Sequence, residues 1–117
     1  MRNDNEIDLG SVKINRNIIL EIIARAVGES EGIRLAEPGF LFRFFCRLKN
    51  RPVYRIEVEV DKKKDMRINI DIVISYGIDI LKAADILRER INAILEKMTH
   101  RMAGYINVRV VGIEKEL

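Results

Sequence analysis

The side chains that most often perform turnover are scarce in this 117-residue chain: one histidine, His100, one cysteine, Cys46, one threonine, Thr99, and three serines. A thiolate nucleophile needs a base beside it and a third group to orient that base. Cys46 lies among Phe and Leu, the setting of a small buried hydrophobe. His100 follows Lys97-Met98-Thr99 at the end of a helical run, where a partly positive imidazole suits the negative end of the helix dipole. Metal binding fares no better, with no Cys/His cluster and no Glu-x-x-His spacing. The carboxylates Glu57, Glu59, Asp61, Asp65 and Asp71 are dense enough to suggest an acid–base pair or a Mg²⁺ site. Glu57 and Glu59 are, however, the polar half of an alternating strand, and a solvated face is the simpler reading. Phosphate cradles are missing too. The nearest glycine pair, Gly28-Glu29-Ser30-Glu31-Gly32, has the wrong spacing for the Gly-x-x-Gly loop of a KH-type RNA binder, and its two glutamates would repel phosphate. The expectation is a protein that is not an enzyme and needs no cofactor or metal.

What remains is a capacity to bind. The formal charge is +3, and its placement says more than its size. Residues 38–55 carry five cations and no anion, while residues 1–37 are net acidic and the rest of the chain nearly cancels. The same basic stretch holds all four Phe residues, in Phe40-Leu41-Phe42-Arg43-Phe44-Phe45-Cys46-Arg47-Leu48-Lys49-Asn50-Arg51. At about 100° per residue, Phe40, Leu41, Phe44, Phe45 and Leu48 share one arc, with Arg43, Arg47 and Arg51 clustered beside it. This spacing predicts a short amphipathic helix with a basic flank. Phe40, Arg43, Phe44, Arg47, Lys49 and Arg51 are its candidate interaction residues.

The elements that must position this segment are legible from periodicity. Residues 1–9 read as a polar, flexible tail and residues 10–117 as one domain. Val12 and Ile14 alternate with polar neighbours as a short strand. Asn15 then offers a side-chain oxygen as N-cap to a helix whose Ile18, Ile19, Ile22, Ile23, Ala26 and Val27 recur on one face, with Gly28 as its stop. Ile33 and Leu35 make a second short strand. Beyond Pro52, Tyr54, Ile56, Val58 and Val60 alternate with charged residues, as do Ile68, Ile70, Ile72 and Ile74 with Asn69, Asp71, Val73 and Ser75; the polar Asp61–Asp65 link predicts an antiparallel hairpin. Tyr76-Gly77 ends the second strand. A long helix follows, with Ile80, Leu81, Ala84, Leu87, Ile91, Ile94, Leu95 and Met98 on one side. It returns the chain so that Ile106, Val108 and Val110 lie parallel to strand 68–75 by a right-handed crossover. The fold class is α+β: a two-layer sandwich with a mixed four- or five-stranded sheet and two main helices on one face, plus the short amphipathic helix. The other sheet face displays Glu57, Glu59, Asn69, Asp71, Asn107 and Arg109, either solvated or covered by a partner.

Runs free of charge, such as Ile72 to Ile78, fall far short of the roughly 20 apolar residues a membrane span needs. The start, Met1-Arg2-Asn3-Asp4-Asn5-Glu6, has no apolar stretch behind it. One cysteine forms no intrachain disulfide. A cytoplasmic location is expected.

Two segments resemble the alkaline shock protein family of Gram-positive stress proteins. One is Gly10-Ser11-Val12-Lys13-Ile14-Asn15 with Ile18, Ile19, Ile22, Ala26 and Gly32-Ile33. The other runs Ile70-Asp71-Ile72-Val73-Ile74-Ser75-Tyr76-Gly77, through Ile80, Ile91, Leu95 and Met98-Thr99, to Ile106-Asn107-Val108-Arg109-Val110-Val111-Gly112-Ile113. The chain departs from the family's pattern at Ser30, Arg88 and His100, and in the Phe/Arg stretch 40–51. The resemblance implies a non-enzymatic cytoplasmic scaffold in the envelope stress response, held near the membrane through a protein partner in some members, and brings no catalytic residues.

Three readings compete for the basic aromatic segment. It docks on a membrane protein or, weakly, on anionic lipid, with oligomerisation of the chain strengthening the contact. It closes an open end of the domain's own core, with arginines snorkelling to water. Or the basic stretch 43–64, with Arg55 and Lys62-Lys63-Lys64, binds nucleic-acid phosphates, the least favoured of the three because such a lysine triplet is more often a charged turn.

Overall fold

The computed structural model describes residues 6–8, 12–37, 39, 41, 44, 47–48, 55–61, 63 and 65–115. Its elements are β1 (Glu6–Asp8), β2 (Lys13–Asn15), α1 (Arg16–Gly28), β3 (Ile33–Leu35), β4 (Ile56–Val60), β5 (Met66–Ser75), α2 (Ile80–Thr99) and β6 (Ala103–Glu114).

Local chemistry sets most of the boundaries. Asn15 is the N-cap of α1, its side-chain oxygen accepting the amide of Asn17 at 2.9 Å; this satisfies a donor that the first turn would otherwise leave unpaired. Asp79 does the same for α2, accepting from the Lys82 amide at 3.1 Å. The turn between β4 and β5 is organised by the Asp61 carboxylate, which accepts from the amides of Lys63 and Asp65 at 2.9 and 3.0 Å. Gly77 follows β5 with φ +95°, a left-handed conformation that glycine adopts without steric cost.

β5 is the spine of a four-stranded mixed sheet. β6 runs parallel to it along its whole length, from Met66↔Ala103 to Ser75↔Glu114. Its other edge is shared end to end by two antiparallel strands: β4 pairs with residues 66–70 and β3 with residues 72–74. The parallel pairing of β6, the antiparallel hairpin and the α+β class are as the periodicity indicates. Three details differ. Glu6–Asp8, inside the stretch read as a tail, pairs antiparallel with β2 as a separate two-stranded sheet, and Ile7 is only 1% exposed. The strand at 13–15 therefore lies in that small sheet, outside the main one. The amphipathic helix expected over 40–51 falls largely outside the described residues.

One buried cluster joins the layers. It takes Ile19, Ile22, Ile23, Ala26 and Val27 from α1, Leu87, Ile91 and Leu95 from α2, and the even-numbered residues of β5. Alternation puts those β5 residues on one sheet face, so both helices pack on that side. The buried stripes are narrower than periodicity alone indicates. Ile18 is half-exposed while Leu20 is buried, and Ile80, Leu81 and Met98 in the end turns of α2 are exposed. A straight helix on a twisted sheet loses contact towards its ends. None of the described helices is long and apolar enough to cross a membrane.

Candidate docking surfaces

The sheet face opposite the helices is built in cross-strand rows, because paired residues point to the same side. From the hairpin end these are Glu59–Arg67–Tyr105, Glu57–Asn69–Asn107, Arg55–Asp71–Arg109 and Arg34–Val73–Gly112. Asp71 anchors the third row. Its carboxylate accepts two hydrogen bonds from Arg109, Nε to Oδ1 at 2.9 Å and Nη2 to Oδ2 at 2.8 Å, and an ion pair from Arg55 at 2.7 Å. The hydrogen bond to Asp71 raises the Arg109 pKa further above its already high value. The two-pronged contact suits a planar guanidinium against a carboxylate.

In the fourth row Arg34 reaches across Val73 and Gly112 to Glu114. Gly112 has no side chain to obstruct the path, and a Cβ there would already touch the Val73 side chain at 3.5 Å. Beneath this pair Val73 is 7% exposed, although it belongs to the open face. The hydrogen bond that Arg34 donates to Glu114 lowers the Glu114 pKa and raises that of Arg34. At the hairpin end the Arg67 guanidinium lies 6.0 Å from the Tyr105 ring centroid, the outer limit of a cation–π contact. Among the described residues, Arg34, Arg55, Arg67 and Arg109 balance Glu57, Glu59, Asp71 and Glu114 on this face.

The edges beside this face are partly covered by arginines. On β4 the Val58 carbonyl accepts from Arg16 at 2.7 Å; on β6 the Ile106 carbonyl accepts from Arg88 at 3.1 Å. Capped carbonyls deprive another strand of its partners.

Of the six candidate residues in the basic aromatic segment, Phe44 and Arg47 are described and both are exposed; Phe40, Arg43, Lys49 and Arg51 lie outside the described residues. Phe44 is 52% exposed, and Leu41 and Leu48 beside it are 71% and 67%. These three stand at spacings of three and four, the repeat of one helix face. Cys46 also lies outside the described residues. His100 is the exposed C-cap of α2 in a left-handed conformation, φ +60°, its amide donating to the Glu96 carbonyl at 2.9 Å. Glu57 and Glu59 face solvent, and Asp61 organises a turn. Arg34, Arg55 and Glu114 escaped the sequence reading of the open face. The hairpin register could have placed Arg55 across from Asp71. The Arg34–Glu114 contact depends on a β-bulge between Ile72 and Val73 that alternation does not reveal.

The sequence model of the alkaline shock protein 23 family, described as having a cell envelope-related function, matches residues 4–115. No curated protein and no solved structure matches the chain.

Proposed function

The chain belongs to the alkaline shock protein 23 family, and on that premise we propose that it serves the cell envelope by docking: a non-enzymatic stress-response scaffold that binds a protein partner at the cytoplasmic face of the membrane. The observation that carries this reading is the exposure of Leu41, Phe44 and Leu48, with the Arg47 cation among them. Among the described residues, alternate residues of β5 and the inner faces of two helices build the core. Large apolar side chains left in water beyond that core gain about 25 cal/mol per Å² when a partner covers them. A neighbouring cation favours an acidic rim on that partner.

Phe44→Asp tests the proposal. The expected outcome is at least a tenfold loss of the protein cross-linked to the chain in cells, with the melting temperature unchanged within a few degrees. A collapse of thermal stability would instead mean that Phe44 packs in the core. Flotation of the purified chain with anionic but not neutral vesicles would replace the protein partner by lipid. A Phe44→Asp change in sedimentation of the isolated chain would replace it by a second copy.

A further inference from the structure

Where the loop after α1, the start of β3 and the first half of α2 meet, they form a half-open cavity of about 260 Å³. Its apolar lining comes from Ile33, Ile78, Ala83 and Ile86. Ile78 is held in place from below, since it packs so closely on Gly32 that any Cβ there would collide with it. Gly32 itself has φ +76°, and its carbonyl accepts a hydrogen bond from the Ser75 amide at 2.9 Å, which ties the cavity wall to the sheet.

Polar groups converge on this lining from one stripe of α2, where Lys82, Ile86 and Arg90 stand four residues apart. Arg90 is the informative one. Its guanidinium donates to Ser30 Oγ at 3.0 Å. Ser30 is 8% exposed, and its hydroxyl hydrogen is committed to the Ala26 carbonyl at 2.9 Å. The serine therefore presents lone pairs to Arg90 and fixes the cation at the cavity while neutralising none of its charge. Arg34, Arg55, Arg88 and Arg109 each sit on a carboxylate. Among the described residues Arg90 has none. Two carboxylates also line the cavity, so its lining is formally neutral, but Asp79 is turned to the Lys82 amide that it caps and Glu31 stands exposed on the loop before β3.

We infer that this cavity is a binding site for a small organic anion with an apolar body. The carboxylate or equivalent head would take the remaining donors of Arg90, with Lys82 adding charge, and the hydrocarbon body would cover Ile33, Ala83 and Ile86. A cation positioned by a neutral hydrogen bond keeps its full attraction for an anion without the entropy of ordering a free side chain. The volume is below that of drug-sized pockets, which admits a fragment-sized ligand and excludes a folded partner. This site is separate from the docking segment at 41–48.

Octanoate is the probe, with octanol and octylammonium as controls of the same apolar body. Titration of the full ¹⁵N-labelled chain is expected to give saturable amide shifts centred on Ser30, Ile33, Ala83 and Ile86 with octanoate, and affinity at least tenfold lower for either control. Arg90→Gln should weaken octanoate at least tenfold, and Ser30→Ala severalfold, with the rest of the amide spectrum unmoved. Equal affinity for octanol, preference for octylammonium, no saturation, or octanoate affinity unchanged in Arg90→Gln would each overturn the inference. The comparison of the three probes needs no variant, so it decides the question even if a substitution unfolds the chain. Unaltered octanoate binding in Phe44→Asp is expected.

Discussion

The two faces of β5 carry opposite chemistries on a single strand. On one, Ile68, Ile70 and Ile72 are 0% exposed beneath the helices. On the other, Arg67 and Asn69 meet water, Asp71 is largely covered by its two arginines, and order comes from the ion pairs along the Arg55–Asp71–Arg109 row. The buried face holds the domain together through removal of apolar area from water, which is non-directional and large. The open face contributes little energy, because exposed ion pairs exchange well-solvated charges for one another. It contributes a fixed pattern of charge. A surface arranged in this way can be altered with small effects on folding, whereas the other side cannot.

That contrast can be broken most sharply at Ile70, which should lose about 2–5 kcal/mol on replacement by Ala, through lost burial and the cavity left behind. Urea denaturation of Ile70→Ala against the unmodified chain measures it. Asp71→Asn, one residue along, removes the shared anion from Arg55 and Arg109 and should cost about 1 kcal/mol, since Asp71 is mostly buried while both arginines are more exposed. A cost equal to that of Ile70→Ala would make the open face part of the structural core and end the comparison. The smallest effect is expected at Glu114. Arg34 lowers its carboxyl pKa, so the folded chain binds that proton less tightly than the unfolded chain does. The stabilisation is complete above the unfolded pKa and is lost as pH falls through the lower folded value. Thermal melts of Glu114→Gln between neutral and acidic pH should show a shallower loss on acidification than the unmodified chain.

The contrast between the faces was legible before any coordinates, because period-two alternation over Ile68, Ile70, Ile72 and Ile74 depends only on the pleat. The Asn15 cap and the stop at Tyr76-Gly77 were equally legible, since each acts within a few residues. The parallel placement of β6 followed from helix length and the handedness of crossovers. β1 escaped: three residues with one isoleucine make no periodic signal, and its pairing with β2 is decided by Ile7 reaching the core. The apolar face of α2 was read too broadly at Ile80, Leu81 and Met98, because periodicity reports which side of a helix is apolar and not how far the contact with a neighbour extends.

The cavity lies further from what a sequence can disclose. Ser30 and Arg90 are sixty positions apart, and although Ser30 departs from the family's pattern, no spacing links the two. Composition and periodicity alone determined an α+β domain with one apolar and one ionic sheet face, a hairpin leading to a parallel strand, and a concentration of cations and phenylalanines in one segment. Those properties arise from neighbours along the chain, where side-chain direction and hydrogen bonding repeat at fixed intervals. Tertiary structure decided which arginine has a carboxylate and which has only a hydroxyl, how β3 and β4 share an edge, and which apolar side chains stay in water. Each of these depends on distances between residues remote in sequence, and such distances exist only after the layers have packed.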